Sequence, residues 1–217
     1  MSDTTSAYVG RIIGAGRTAA GHLAMAYRVS SRSFPNRDAH RTGNAISIVP
    51  RAGSADAASD SPYIAYECLL WNERHVVASN GTQTRPIFER LKAGHSIRDA
   101  LVAVLAGLDR EFDAYDTPRI CAVGDRMSGA IYLGSVCADA LSVVPMTVSA
   151  GEMAYISTYG GPLPGSGQID TAFTATTAAE TCDHVIGGSL FARFERPVCA
   201  TALLCLGDDV DVAVLNP

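Results

Sequence analysis

Ten residues, Arg28 to Arg37, read RVSSRSFPNR and hold three Arg, three Ser and one Asn. They stand out because the chain as a whole is acidic. It has 17 Lys+Arg against 22 Asp+Glu, a formal net charge of -5. Guanidinium groups offer a planar fork of donors that matches a phosphate, and serine hydroxyls add short-range donors. Phe34-Pro35 stiffens the turn, so these donors lose little freedom on binding. Two readings stand side by side on spacing alone: a pocket for a small anion, or a solvated loop.

Three other positions carry chemistry. Glu111 lies in DREFD, at the end of a long helix whose apolar stripe runs on to the adjacent Phe112. A carboxylate at the border of that stripe would be half-buried, with its pKa raised toward the range useful for moving protons; the rival is a solvated helix end. Asn80-Gly81-Thr82 is a formal glycosylation sequon, but Asn-Gly is first of all a turn signal. The alternative puts Asn80 at the mouth of a site. In PYIAYEC, Tyr63 and Tyr66 are three apart and point to opposite faces of a strand, one into core and the other toward a cavity.

The elements that must position these groups are mostly strands. Period-2 and β-branched runs predict strands at Tyr8–Ile13, Leu23–Ser30, Ala45–Val49, Tyr63–Leu70 and His75–Ser79. Arg51 to Ser61 is a polar loop. A short helix over Pro86–Ala93 stops at Gly94. A longer one follows: Ser96 and Asp99 resemble a capping box, and Ile97, Leu101, Val104, Leu105, Leu108 and Phe112 form one apolar stripe. Strands resume at Arg119–Gly124, Ala130–Val136, Leu141–Met146 and Met153–Thr158. A Gly/Pro loop spans Tyr159–Gln168. Thr177 with Glu180 caps a helix that ends near Gly187-Gly188, and strands at Pro197–Leu206 and Val210–Leu215 finish the chain. This order does not alternate β with α, which disfavours a doubly wound parallel sheet. It fits an α+β fold of two mainly antiparallel sheets packed face to face, with outer helices.

Several function classes fall away. The 217 residues show no linker and suit a single domain over 1–217. The acidic balance disfavours a partner bound through many phosphates, so no nucleic acid is expected. No apolar run is long enough for a membrane span, and the uncharged run Met153–Ile169 is broken by four Gly and two Pro. The first residues lack the pattern of a signal peptide. A cytoplasmic location follows, with the six Cys as reduced, buried thiols. Their spacing, and that of the five His, offers no metal site. Gly14-Ala15-Gly16-Arg17-Thr18-Ala19 matches a dinucleotide fingerprint, but a strand rather than a helix follows, so it reads as a strand-to-strand turn.

Taken together, YVGRI, YRVSSRSFPNR, PYIAYEC, SNGTQT, LDREFDAYDTPRI and YISTY resemble the archaeal-type IMP cyclohydrolases. The segments occur in the family's order between Tyr8 and about Leu206. The resemblance implies a four-layer αββα sandwich like that of the N-terminal nucleophile hydrolases, without their self-processing. It implies closure of the ring of 5-formamidoimidazole-4-carboxamide ribonucleotide to IMP and water, in de novo purine biosynthesis. The implied catalytic residues are Arg37, Tyr66, Asn80 and Glu111. Arg37 and Asn80 would stabilise developing charge and orient the carboxamide, Tyr66 would bond the reacting oxygen, and Glu111 would move protons. Ser31, Arg32, Asn36 and Arg119 are the implied substrate-binding residues, for the 5′-phosphate and nearby contacts. No cofactor or metal is implied. The partner is a small ribonucleotide, and a homo-oligomer is expected.

The chain departs from the family pattern in places. Residues 1–7 form an N-terminal extension. Ser2 would head the chain after removal of Met1, but lies too far before the first strand to serve as a terminal nucleophile. Gln83 stands where the family often has His. The Tyr159–Gln168 loop is longer and richer in Gly and Pro, and such a loop can change the substrate. The alternatives are therefore a paralogue that cyclises a related heterocyclic nucleotide in a specialised nucleoside pathway, and a nucleotide-binding module without turnover.

Overall fold

The computed structural model describes residues 7–54, 65–165 and 167–217. Tyr63 and Ser2, and with them the readings placed on them, lie outside the described residues.

Both faces of β2 (Leu23–Ser30) are covered: all eight residues of LAMAYRVS are buried. A strand buried on both sides must sit in the middle of a layered stack. Its sheet has six strands in the order β11-β10-β1-β2-β12-β13. These are β1 (Ile12–Arg17), β10 (Glu152–Ser157), β11 (Ile169–Asp170), β12 (Pro197–Leu206) and β13 (Asp209–Leu215) around β2. The second sheet runs in sequence order through seven strands: β3 (Arg37–Thr42), β4 (Ala45–Pro50), β5 (Tyr66–Trp71), β6 (His75–Ser79), β7 (Arg119–Asp125), β8 (Ile131–Cys137) and β9 (Ala140–Met146). All pairings between these strands are antiparallel.

Alternation along the strands builds three apolar layers. Ile13, Met25, Val29, Ile46, Ile48, Leu69, Val76 and Leu203 meet between the sheets. Their neighbours Ile12, Ala24, Ala26, Ala202 and Leu204 face outward onto Ala178, Cys182 and Val185 of α3 (Ala178–Gly187). On the other side Leu70, Val77, Cys121 and Val123 meet α1 (Thr84–Lys92) and α2 (Ile97–Leu108) through Ile87, Leu91, Leu101 and Leu105. The result is the expected α+β stack of helix, sheet, sheet and helix. Among the described residues no helix is long and apolar enough to cross a membrane.

Four local expectations need correction. The first strand begins at Ile12, so Tyr8 precedes it and stacks on Tyr159. Gly14 and Gly16 lie inside that strand rather than in a turn; the turn is at 18–21. A Cβ on Gly16 would come within 2.4 Å of the Glu152 carbonyl oxygen, so glycine is what lets β10 approach here. The strand β3 carries no apolar alternation that would announce it. It is an edge strand, with His40, Arg41 and Thr42 exposed.

The long helix is the fourth case. Its N-cap forms as expected, Ser96 Oγ accepting from Asp99 N at 3.1 Å. It ends at Leu108, because Asp109 turns to φ 58°. That turn takes Phe112 out of the apolar stripe and leaves it 68% exposed, with the Arg110 guanidinium over its ring at 4.7 Å. Glu111, its neighbour, goes inward and is 2% exposed.

Candidate functional site

The antiparallel register gathers one set of strand ends. Ile12 opposite Arg28 and Ser157 puts the start of β1 beside the ends of β2 and β10. Arg37 opposite Pro50, Ile48 opposite Tyr66, and Ser79 opposite Cys121 do the same for β3, β5, β6 and β7. Residues far apart in the chain therefore share one end of the sandwich.

A cavity of about 470 Å³ opens there. That volume suits a small organic ligand. Tyr8, Phe34, Tyr115 and Tyr159 give it aromatic walls, and Arg11, Arg32, Ser31, Ser33 and Asp113 its polar groups. Of the residues expected from sequence, Ser31 and Arg32 line it directly. Ser31 Oγ accepts from Phe34 N at 2.9 Å and so shapes the turn. Arg32 lies over the Tyr8 ring at 4.5 Å and pairs with Glu195.

The other six are not among the lining residues. Arg37 is fully buried and donates through Nε to the Phe34 carbonyl at 3.1 Å. Its Nη1 and Nη2 are buried and meet no hydrogen-bond partner among the described residues. Leaving such a fork unpaired costs several kcal/mol, roughly, so an arriving acceptor would be well rewarded. Tyr66 bonds Tyr27, hydroxyl to hydroxyl, at 2.7 Å. Asn80 is buried, its Oδ1 accepting from Ile120 N and Gln83 Nε2, both at 2.8 Å, while Nδ2 donates to the Pro118 carbonyl at 2.9 Å. The chain bends at Asn80-Gly81 and turns over 81–84, where Thr84 N donates to the Gly81 carbonyl, and Asn80 ties this bend to the start of β7. Asn36 is half-buried and holds Arg51 N through its backbone carbonyl.

Arg119 is anchored rather than free. Its Nε donates to the Asp109 carbonyl at 2.8 Å, and Nη1 reaches Gln83 Oε1 at 3.1 Å and Glu111 Oε1 at 3.4 Å. Burial pushes the Glu111 carboxyl above the ordinary glutamate range, with Arg11 and Arg119 pulling the other way. Glu111 Oε2 is buried with no partner among the described residues. A raised pKa and a vacant oxygen are what a proton-transfer group needs.

Sequence reasoning missed the residue that connects these groups. Arg11 lines the cavity and faces Tyr66, Tyr27 and Glu111 together. Burial alone would weaken its hold on its proton, but those three groups more than offset this, Tyr66 foremost among them. Its place within YVGRI was visible, but read as strand interior it had no distinct role. Tyr27, Gln83, Asp113 and Tyr159 were missed as well. Asp113 accepts from the backbone N and hydroxyl of Thr117, and that hydroxyl meets Tyr159 Oη at 2.9 Å.

One arginine of the basic stretch is not part of this site. Arg28 is fully buried on the α3 side, where its guanidinium donates to the carbonyls of Val185, Ile186, Phe191, Phe194 and Glu195 and its Nε to Ser30 Oγ. The Gly/Pro loop contributes only Tyr159 to the lining among its described residues. It folds back on itself, Gln168 Nε2 donating to the Gly161 carbonyl at 2.8 Å.

The family model for IMP cyclohydrolase-like proteins matches residues 8–209. The chain belongs to the IMP cyclohydrolase-like family. Curated relatives agree from end to end. A protein named IMP cyclohydrolase from Methanosphaera stadtmanae is 37% identical over 211 residues, 97% of this chain and 100% of its own length. One of the same name from Methanocaldococcus jannaschii is 38% identical, over 91% of this chain and 94% of its own. Another, from Halobacterium salinarum, is 36% identical over 96% and 98%. The matched range 8–209 includes every residue of the cavity wall, from Tyr8 to Tyr159.

Proposed function

We propose that the protein is an IMP cyclohydrolase, which closes 5-formamidoimidazole-4-carboxamide ribonucleotide to IMP and water in de novo purine biosynthesis. The observation that carries this is the end-to-end likeness to archaeal proteins of that name.

The reaction asks little of a cofactor. The carboxamide nitrogen attacks the formyl carbon of the same molecule, so the two partners are already joined and the enzyme must hold the rotamer that brings them together. The nitrogen is a weak nucleophile and must lose a proton as the bond forms. The formyl oxygen gains charge, takes up protons and leaves as water. Donors aimed at that oxygen and one group that relays protons supply most of the acceleration.

Residues follow from these needs. Ser31, Arg32 and the neighbouring Ser33 take the 5′-phosphate at the rim, and the aromatic walls take the heterocycle. The open fork of Arg37 and the remaining Nδ2 hydrogen of Asn80 hold the carboxamide and offset developing charge. Tyr66, with Arg11 beside it, donates to the formyl oxygen. Glu111 collects the amide proton through its vacant Oε2. Arg119 is reassigned from phosphate to the support of Glu111, because its donors already face Asp109, Gln83 and Glu111. Asn36 is kept as a contact near the phosphate turn. The same reading makes the chain a single-domain, cytoplasmic homo-oligomer that acts on a small nucleotide.

The test is direct. Incubation with the formamido ribonucleotide should produce the ultraviolet change of ring closure and yield IMP. Binding without closure would replace the enzyme by a binding module, and no binding at all would point to a different heterocycle.

A further inference from the structure

Tyr27 is fully buried in the layer between the sheets, in the second half of β2. Its ring meets Tyr66 edge-on, with centroids 6.4 Å apart, and the two hydroxyls are 2.7 Å apart. Each hydroxyl has one hydrogen to give and lone pairs to receive with. Which one gives is decided by the surroundings. Among the described residues, Tyr66 Oη is the one acceptor within reach of the Tyr27 hydroxyl. A fully buried hydroxyl hydrogen without an acceptor is costly, so Tyr27 spends its proton on Tyr66. Arg11 faces Tyr66 as well, and a guanidinium has only donors to offer that oxygen. The oxygen of Tyr66 thus serves as the acceptor in this cluster. Its own hydrogen is left for a third partner.

We propose that Tyr27 is a positioning residue of the cyclisation: by donating to Tyr66 Oη it keeps the Tyr66 proton turned away from the core and reserved for the substrate oxygen. This rests on the reading of the protein as an IMP cyclohydrolase with Tyr66 at the reacting oxygen. Without the Tyr27 hydroxyl, the Tyr66 oxygen loses a bond that fixes its orientation, and its hydrogen is no longer held toward the substrate for all of the time. The effect belongs to the transition state, where the oxygen bears charge, far more than to substrate binding.

Two measurements test it, and they separate this inference from the reading beneath it. The first does not need turnover. The tyrosine Raman doublet distinguishes phenols that donate from phenols that accept. The difference spectrum of wild type and Tyr27→Phe should show the loss of a donor-type phenol. The Tyr66→Phe difference should show the loss of an accepting one, and this second variant carries the test if Tyr27→Phe does not fold. An acceptor-type signal at Tyr27 overturns the proposal. The second is kinetic. Tyr27→Phe should lower kcat roughly tenfold with KM within about twofold of wild type. Unchanged kcat in an otherwise active protein overturns the positioning role. A wild-type protein that closes no ring while its Raman signals are as expected refutes the cyclohydrolase reading and leaves the direction of the Tyr27 bond established.

Discussion

Arg119 Nη1 lies 3.4 Å from Glu111 Oε1, and Gln83 Oε1 shares the same nitrogen at 3.1 Å. The guanidinium is thus held beside the carboxylate by a neutral amide rather than by a second acid. This arrangement suits the proton-transfer role proposed for Glu111, which is almost wholly buried. The cation limits the cost of the charged form, while burial keeps the pKa above the ordinary range.

Replacement of Glu111 should therefore separate activity from stability. Glu111→Gln is expected to reduce kcat by about 10²- to 10⁴-fold, the range for a lost proton-transfer group. Stability should move the other way. Because the folded pKa is raised, the folded protein binds more protons than the unfolded chain between the ordinary glutamate value and the raised one. Wild-type stability falls as pH rises through that window. Glu111→Gln removes this loss, so urea unfolding should show the variant gaining on wild type at pH 7 compared with pH 4. An equal difference at both pH values would contradict the assignment.

Gly81 is the floor of the same group. A Cβ there would lie 2.9 Å from Glu111 Oε1 and 3.0 Å from Gln83 Oε1. Both are ends of side chains, so Gly81→Ala should fold, with Glu111 displaced. Displacement of a reacting group by a fraction of an ångström should lower kcat by roughly tenfold to a hundredfold, with little change in Tm. Steady-state kinetics beside a thermal melt would check this.

Arg28 should behave as a structural residue despite its place in the basic stretch. Burial lowers its pKa to about 10, and it is surrounded by carbonyls. Arg28→Met leaves several buried carbonyls unpaired and should cost about 3 kcal/mol or more in urea unfolding. Any folded fraction should keep its KM, whereas Arg32→Met should raise KM with little change in Tm.

Asn216 holds the edge strand that carries Arg37. Its Oδ1 accepts from Ala39 N at 2.7 Å and its Nδ2 donates to the Ala39 carbonyl at 3.1 Å, replacing a missing strand partner. Asn216→Ala should free the Ala39 amide to hydrogen exchange and cost about 1 kcal/mol. Unchanged protection at Ala39 would show that the clamp is not formed in solution.

The thiols should be largely inert. Burial pushes the Cys182 and Cys199 thiols up to about 12, and Cys68, Cys121 and Cys205 are also raised by burial. Only Cys137 is partly exposed. A native thiol titration at pH 8 should report one fast group, lost in Cys137→Ser, and the rest only after unfolding.

Most of the fold was legible in the chain because burial on one or both faces leaves a periodic trace. The runs at Leu23–Ser30 and Pro197–Leu206, the stripe of α2 up to Leu105 and the Ser96 and Thr177 caps all report local geometry. The Arg/Ser stretch and the family motifs likewise named Ser31 and Arg32. Other features depended on partners remote in sequence. Strand β3 is a polar edge whose pairing comes from β4 and Asn216, so no period of its own marks it. Whether Glu111 or Phe112 turned inward hung on one left-handed residue, Asp109. Arg28 and Arg37 sit on the same short segment, yet one faces carbonyls at the end of α3 and the other an open fork near the cavity. Arg11, just before β1, acquires its meaning only when it meets Tyr66 and Glu111, and Tyr27 only when β2 brings it against Tyr66. Local pattern reports how a segment is wetted; which groups meet is set by the register of strands distant in the chain, and only the folded sandwich decides that.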